Sequence, residues 1–420
     1  MSYVDLKYRP SKDDIICKYY LEPNNISLDK ACEHIAAESS IGTWTDLTTL
    51  DSKTKNRLQA RVFKTDAKKK TALIAYPLDL FELGNMPEIL SSIAGNIFGM
   101  RAVKNLRLLD ISFPLKAVKS FKGPKFGIPG IRDIVRVYDR PLVGTIIKPK
   151  VGLDYKNHAR VAYEAWAGGM DIVKDDENLT SQTFNPFFKR IKETLRLRDK
   201  AEKETGEKKI YMPNVTAETT EMIKRAEFVK KCGGEYVMVD ILTCGFSSLQ
   251  TLRDADLDLV IHAHRAGHAM LTRNKKHGMT MLVLAKTMRL IGMDQLHIGT
   301  IVGKMEGGAQ EIIDIEREMQ DSFIEAHGDV LKQEWYGMKP VLPVCSGGLH
   351  PGHVPALIGY LGKDIVIQSG GGCHGHPGGT CAGAKAMRQA VDAVMNGVSL
   401  QDYAKTHKEL KRAIAKWGAK

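Results

Sequence analysis

From about residue 140 onward, short β-branched apolar runs alternate with longer stretches whose apolar positions recur every three or four residues. The first pattern has the period of a buried strand, the second that of a helix with one covered face. Strands are predicted at Gly144–Lys148, Asp171–Lys174, Ile210–Asn214, Tyr236–Asp240, Leu259–His264, Leu296–Thr300, Leu342–Ser346 and Asp364–Gln368. Between them, Met222, Ile223, Ala226 and Val229 share a helical face that closes at Gly233-Gly234, and Leu282, Leu284, Ala285 and Met288 another that closes at Gly292. Eight such units within about 260 residues predict an α/β fold, a (β/α)8 TIM barrel.

The preceding residues have a different texture. A helix opens at Ser27, and strand-like runs lie at Ile15–Leu21, Gln59–Phe63 and Thr71–Pro77. This predicts a smaller N-terminal α+β domain over 1–125 and a barrel domain with C-terminal helices over 126–420. The boundary is expected in the Gly- and Pro-rich stretch Gly123–Arg132, read as loop.

Composition narrows the function classes. The 420 residues are 43% hydrophobic and 26% charged, which excludes low-complexity disorder and a small disulfide scaffold. No apolar run reaches the roughly 18 residues of a membrane helix, and the first ten residues carry charges where a signal peptide would be apolar, so a cytosolic location and no membrane partner are expected. The seven cysteines are scattered without a Cys-x-x-Cys pair and are expected to be free thiols. A net charge of +12 suits phosphorylated ligands or polyanions, but the basic clusters lack the interleaved aromatics of a nucleic-acid groove.

In a TIM barrel the active site is built at the carboxyl ends of the strands. The residues closing the predicted strands are rich in chemistry: Lys148-Pro149-Lys150, Lys174-Asp175-Asp176-Glu177, Asn214, Asp240, His262-Ala263-His264-Arg265, His297, Ser346-Gly347-Gly348 and Gly370-Gly371-Gly372. Lys174 and Asp176 are two apart and so share a side, Glu177 can join them, and Asp175 should face away. Two carboxylates form a hard oxygen site suited to Mg2+, to which a lysine contributes oxygens only as a carbamate; an ordinary ion-pair cluster is the alternative. Lys148 and Lys150 are expected to face one side, where neighbouring cations depress a lysine pKa, or to act as phosphate contacts. His262 reads as a core histidine, although His-x-His on a barrel strand also occurs in binuclear metal hydrolases. The glycines after strands 7 and 8 let backbone N–H groups approach a phosphate. The Gly299–Gly308 loop, with Lys304 at its centre, has the composition of a charged lid.

Several of these segments are recognisable. Gly144-Thr-Ile-Ile-Lys-Pro-Lys150, Gly168-Gly-Met-Asp-Ile-Val-Lys-Asp-Asp-Glu-Asn178, His262-Ala-His-Arg265, Gly299-Thr-Ile-Val-Gly-Lys304 and Ser346-Gly-Gly348 resemble the large subunit of ribulose bisphosphate carboxylase/oxygenase (RuBisCO). Glu38-Ser-Ser-Ile-Gly-Thr-Trp44 and Gly95-Asn-Ile-Phe-Gly99 fit as well, and the short length and His374-Gly-His-Pro-Gly-Gly379 resemble the archaeal form III group.

The resemblance implies a Mg2+-dependent lyase that carboxylates, and oxygenates, ribulose 1,5-bisphosphate through an enediolate. It also implies a setting in nucleotide ribose salvage or related carbon metabolism. Lys174 matches the lysine carbamylated by an activating CO2, which with Asp176 and Glu177 would hold Mg2+ and whose carbamate would remove the C3 proton. Lys148 matches the lysine that protonates the final carbanion, Lys150 its pKa support, His264 a proton-transfer residue and Lys304 the group that reaches the new carboxylate. Thr43, Trp44, Gly348, Gly370 and Gly371 match contacts to one phosphate, with Gly347 beside them. Arg265 and His297 match contacts to the other, and Ser346 a contact to a hydroxyl. In the family Glu38, Thr43, Trp44 and Asn96 come from a neighbouring subunit, so a homodimer or an oligomer of dimers is expected, without a small subunit. Two departures are visible: Ile146 stands where plant-type enzymes have threonine, and the chain ends in the basic segment Lys405–Lys420 rather than the plant-type tail. The alternatives are a RuBisCO-like enolase or isomerase of another phosphorylated sugar, a metal-dependent amidohydrolase, and a nucleic-acid-binding module.

Overall fold

The computed structural model describes residues 2–43, 45, 47–302 and 308–419. Contacts gather the chain into two units: residues 1–123, 267–291 and 321–338 form one, and 124–266, 292–320 and 339–420 the other.

The first unit is built on a five-stranded sheet in the order Gly278–Met279, Val103–Ser112, Ile15–Pro23, Thr71–Tyr76, Arg61–Asp66. All neighbours are antiparallel except the short Gly278–Met279 strand, which runs parallel to Val103–Ser112. The helix predicted to open at Ser27 spans Leu28–Glu38, with the Ser27 hydroxyl accepting from the Lys30 N–H. The Met281–Ile291 helix stops before Gly292 as its pattern predicts and is buried along its whole length. That degree of burial requires any charge on it to be paired. Lys286, fully buried, accordingly donates to Asp110 at 2.9 Å and to the Ile111 carbonyl at 2.9 Å.

The second unit is the barrel. Its strands are β1 (Leu142–Ile146), β2 (Ile172–Lys174), β3 (Ile210–Met212), β4 (Tyr236–Asp240), β5 (Val260–His264), β6 (Gln295–Gly299), β7 (Leu342–Ser346) and β8 (Val366–Gln368). They hydrogen-bond in parallel in the order β3-β2-β1-β8-β7-β6-β5-β4. The ring is completed between β3 and β4 by a parallel bridge at Asn214 and Met238, where the Met238 N–H donates to the Pro213 carbonyl at 2.8 Å and the Val215 N–H to the Met238 carbonyl at 3.0 Å.

The stretch read as loop, Gly123–Arg132, is in fact helical from Gly127, in a helix that runs to Val135. Its glycines and proline misled the local reading, yet Pro129 lies in the first turn, where the helix has no use for its missing N–H. Ile128, Ile131 and Val135 pack into one core with Leu142, Ile172, Ile210, Tyr236, Val260, Leu342 and Val366. Each of the last seven residues opens its strand, so this helix closes the amino-terminal end of the barrel. Arg132 locks it, donating from Nε and Nη2 to one Asp364 oxygen at 2.8 and 2.6 Å. Ile131→Ala should therefore cost about 3 kcal/mol of unfolding free energy in urea titration, as a fully buried large-to-small change in a core that cannot collapse freely. A loss below about 1 kcal/mol would mean the helix does not close the barrel.

Candidate active site

The carboxyl ends of the strands bring the suspects together. β2 is short, and its last residue Lys174 is in register with Ile146 of β1 and Met212 of β3. Alternation sends Lys174 inward and Asp175 outward, as predicted. Lys174 is wholly buried; its Nζ donates to the Asp175 carbonyl at 2.8 Å, meets Met238 Sδ at 3.3 Å and lies 3.7 Å from Glu177 Oε2. Burial lowers its pKa, and that outweighs the opposing pull of Glu177, Asp176, Asp240 and Asp175. For Glu177 burial acts the other way, but the charges of Lys174 and His264 keep its pKa below the ordinary value.

Asp176, also buried, pairs with Lys148 at 2.7 Å. Lys150 was expected to stand beside Lys148. Strand β1 ends at Ile146, however, so strand alternation does not reach these residues. Lys150 is exposed, and its ammonium makes no hydrogen bond or ion pair among the described residues.

On the other side of the mouth, register explains the histidines. Asp240 and His264 are partners across β4 and β5, and Nδ1 of His264 lies 2.6 Å from the Asp240 carboxylate. His264 Nε2 lies 3.6 Å from Glu177. His262 and Gln295 are partners across β5 and β6 and hydrogen-bond at 3.0 Å. The His297 ring lies edge-on to both histidines, 4.7 Å from His262 and 4.8 Å from His264, and its Nδ1 is 2.6 Å from Ser346 Oγ. Burial foremost, then the neighbouring cationic groups, holds His262 and His297 well below the usual imidazole pKa. Nε2 of each is buried with no hydrogen-bond partner among the described residues.

Glycines make the remaining space. Gly299 has φ +100°, and a Cβ there would strike the Arg265 guanidinium, so Arg265 lies over bare backbone. Burial pushes the pKa of Arg265 down to about 10. Gly347 and Gly348 have φ of +121° and +70°, which only glycine adopts readily. A Cβ on Gly370 would come within 3.1 Å of Lys148 Cε, which places the loop after β8, with Gly371, beside Lys148.

The remaining candidates lie in the first unit. Asn96 Nδ2 donates to Glu38 at 3.4 Å. Thr43 lines a polar cleft of about 380 Å3 with Lys30, His34 and Lys55. Trp44 and Lys304 lie outside the described residues.

Of the residues behind the site, Asp175 and Asn214 belong to the predicted strand ends, whereas Tyr211, Arg190 and His158 carry no signal in the sequence. Asp175 accepts from Tyr211 Oη at 2.7 Å, Arg190 Nε at 3.1 Å and the Asn214 N–H at 3.1 Å, and lies 2.9 Å from His158 Nε2. Only its outward orientation was legible, because its partners come from two helices, Tyr155–Ala167 and Phe187–Thr205, and from the neighbouring strand β3.

Burial alone would raise the Asp175 pKa, but Arg190 and the other donors hold it well below the carboxylate range. Its stabilisation is complete above the unfolded pKa of about 4 and is lost as pH falls below that value. Asp175→Asn should then lower stability at pH 7 by about 3 kcal/mol, as expected when one member of a buried pair is removed. In denaturant titrations the gap between wild type and variant should shrink as pH drops from about 4; a gap independent of pH would exclude an ionised Asp175 as its source.

The chain matches two family models, the N-terminal domain of the ribulose bisphosphate carboxylase large chain over residues 2–117 and its catalytic domain over 127–417. A ribulose bisphosphate carboxylase of Methanocaldococcus jannaschii is 52% identical, over 99% of this chain and 100% of the relative. Among solved structures, an octameric RuBisCO of Pyrococcus horikoshii superposes with a TM-score of 0.93 at 50% identity, over 99% of this chain and 96% of the other. A dimeric archaeal RuBisCO of Hyperthermus butylicus superposes with a TM-score of 0.94 at 45% identity, over 100% and 99%. Matched over both units and nearly its whole length, the chain belongs to the ribulose bisphosphate carboxylase large-chain family.

Proposed function

We propose that this chain joins CO2 to ribulose 1,5-bisphosphate and, with water, yields two molecules of 3-phosphoglycerate. The observation that carries the reading is the buried Lys174 amine beside Glu177 and Asp176 at the end of β2. An amine whose charged form is disfavoured by burial is a nucleophile for CO2, and its carbamate would add oxygens to a site that otherwise has two carboxylates. That donor set suits a hard divalent cation, to which the lysine contributes oxygens only as its carbamate. Lys174, Asp176 and Glu177 would hold Mg2+, which would stabilise negative charge developing on the substrate oxygens.

The protein's own groups then divide the proton transfers. Lys174, as its carbamate, takes the C3 proton, and the resulting enediolate attacks CO2. His264, oriented by Asp240, serves the C3 hydroxyl and hydration steps. Lys148, held against Asp176, returns a proton to the final carbanion. Lys150 supports the Lys148 pKa, and Lys304 meets the carboxylate formed from CO2. Arg265 and His297 take one phosphate and Ser346 a hydroxyl; Gly347, Gly348, Gly370 and Gly371 take the other phosphate, with Thr43 and Trp44. The unpartnered Nε2 of His297 supports its share of this role. Glu38, Thr43, Trp44 and Asn96 of a second copy complete the site, so the working unit is a homodimer or an oligomer of dimers, and O2 competes with CO2 for the enediolate. The same chemistry serves nucleotide ribose salvage or a related archaeal carbon route.

The test is anaerobic incorporation of labelled bicarbonate into acid-stable phosphoglycerate after preincubation with Mg2+ and CO2. The wild type should incorporate label and Lys174→Ala should not, with activity down by at least about a thousandfold. Folded wild type without label would shift the assignment to an enolase or isomerase of another phosphorylated sugar. Lys304→Ala should still exchange the C3 proton with solvent but lose carboxylation, and equal loss of both partial reactions would refute its role.

A further inference from the structure

The last helix, Lys408–Trp417, buries only Leu410 and Ala413 along its length; Glu409 ties its amino end to Gln389 and His376, and a second junction lies at its carboxyl end. There the Trp417 indole stacks on the His350 ring, 5.8 Å away with planes 23° apart, and lies 6.4 Å from the ring of His376. His350 in turn lies 3.7 Å from the ring of His353. Lys416 Nζ donates to the Gly375 carbonyl at 2.7 Å, and His376 Nε2 lies 3.0 Å from the Glu409 carbonyl. Backbone seals the junction: a Cβ on Gly352 would collide with the Gly418 carbonyl, and one on Gly372 with the Leu349 carbonyl.

Two loops meet at this junction. His350 and Gly352 follow Gly347-Gly348 after β7, while Gly372, Gly375 and His376 follow Gly370-Gly371 after β8. These are the loops to which the proposed function gives one substrate phosphate. Glycine backbone that must converge on an anion has much freedom to lose on binding, and a loop ordered beforehand binds more tightly.

We infer that the carboxyl-terminal helix is a positioning element for this phosphate site, with Trp417 holding the two glycine loops against each other. Trp417 touches no reacting group; it acts through His350 and the Gly375 turn. The inference rests on the assignment of these loops to a phosphate, not on which reaction follows.

The experiment compares wild type, Trp417→Ala, Trp417→Phe and Lys416→Met as full-length proteins. Affinities for inorganic phosphate and ribulose 1,5-bisphosphate are measured by calorimetry, alongside kcat, KM and thermal midpoints. Trp417→Ala should weaken both affinities about tenfold and raise KM accordingly, with kcat changed less than about twofold, the pattern of lost uniform binding. Trp417→Phe, which keeps a ring on His350, should recover most of the loss, and Lys416→Met should weaken binding about threefold. A Trp417→Ala protein that melts earlier yet binds both ligands like wild type would overturn the proposal and leave the helix a purely structural part. If Trp417→Ala does not fold, an unchanged affinity in Lys416→Met would overturn it equally. Wild type that fails to carboxylate while its phosphate affinity depends on Trp417 would remove the carboxylase reading and keep the clamp; a working carboxylase indifferent to Trp417 would do the reverse.

Discussion

The hydrogen bonds that converge on Asp175 in the barrel wall hold the chemistry of this molecule in place. Strand β2 is three residues long, too short to fix the direction of its last side chains by ladder bonds alone. Asp175 anchors it from outside, bound to Arg190, Tyr211, the Asn214 N–H and His158. A carboxylate buried without such donors would protonate or leave the interior. Satisfied by them, it pins the backbone between Lys174, whose amine faces Glu177, and Asp176, which pairs with Lys148. The Asn214 side chain adds a bond to the Glu177 carbonyl at 3.0 Å, so the turn that carries the second carboxylate is held as well.

Inside the barrel the balance of charge is local. The net charge of +12 says little about a site where Lys174 faces Asp176, Glu177 and Asp240, three carboxylates that favour its ammonium form. Burial opposes them and prevails, and Lys148 takes up part of the charge of Asp176. His262 and His297 are kept neutral by burial, so they add no cation to the cluster. The one histidine at the mouth with a carboxylate on Nδ1, His264, is also the one whose Nε2 points at Glu177. Proton-transfer capacity thus gathers on the β2, β4 and β5 ends, while the β7 and β8 ends offer mostly glycine backbone.

The barrel was legible because each of its strands is an apolar run bounded by Gly, Pro or charge, and every predicted strand overlaps the observed one with ends within two residues. The strand Val103–Ser112 was not, because Lys104, Asn105, Arg107 and Asp110 interrupt its pattern. Two of those interruptions are paid for far along the chain, Asp110 by Lys286 and Arg107 by the Thr272 carbonyl, and local periodicity contains no trace of either partner. The helix Gly127–Val135 was lost to its glycines and proline, and a two-residue period does not fix how Lys150 stands to Lys148, because the strand that carries it ends at Ile146. In the site, the residues that close strands could be named from sequence, since the fold itself makes strand ends converge. Their supports could not. Arg190, His158 and Tyr211 acquire a role only when two helices and a strand bring them to one carboxylate.

The two ends of the barrel carry different burdens. At the amino-terminal end the first residue of seven of the eight strands joins Ile128, Ile131 and Val135 in one apolar core. Further along the strands, buried polar atoms are left without partners among the described residues: Nε2 of His262 and His297, both amide atoms of Gln368 and the Ser369 hydroxyl; Nε2 of Gln295, which opens β6, is left so too. Each such group costs about 1–3 kcal/mol when no partner or water reaches it, so a fold that keeps several of them must gain stability elsewhere. The closed apolar end supplies that gain, and the same core reaches the site through Met238, against the Lys174 amine. Because His262 and Gln368 sit on strands whose first residues, Val260 and Val366, are locked in the core, they are held in place for a ligand instead of turning to satisfy one another. The glycines complete this arrangement, since Gly299 and Gly370 leave room where Arg265 and Lys148 must lie against backbone.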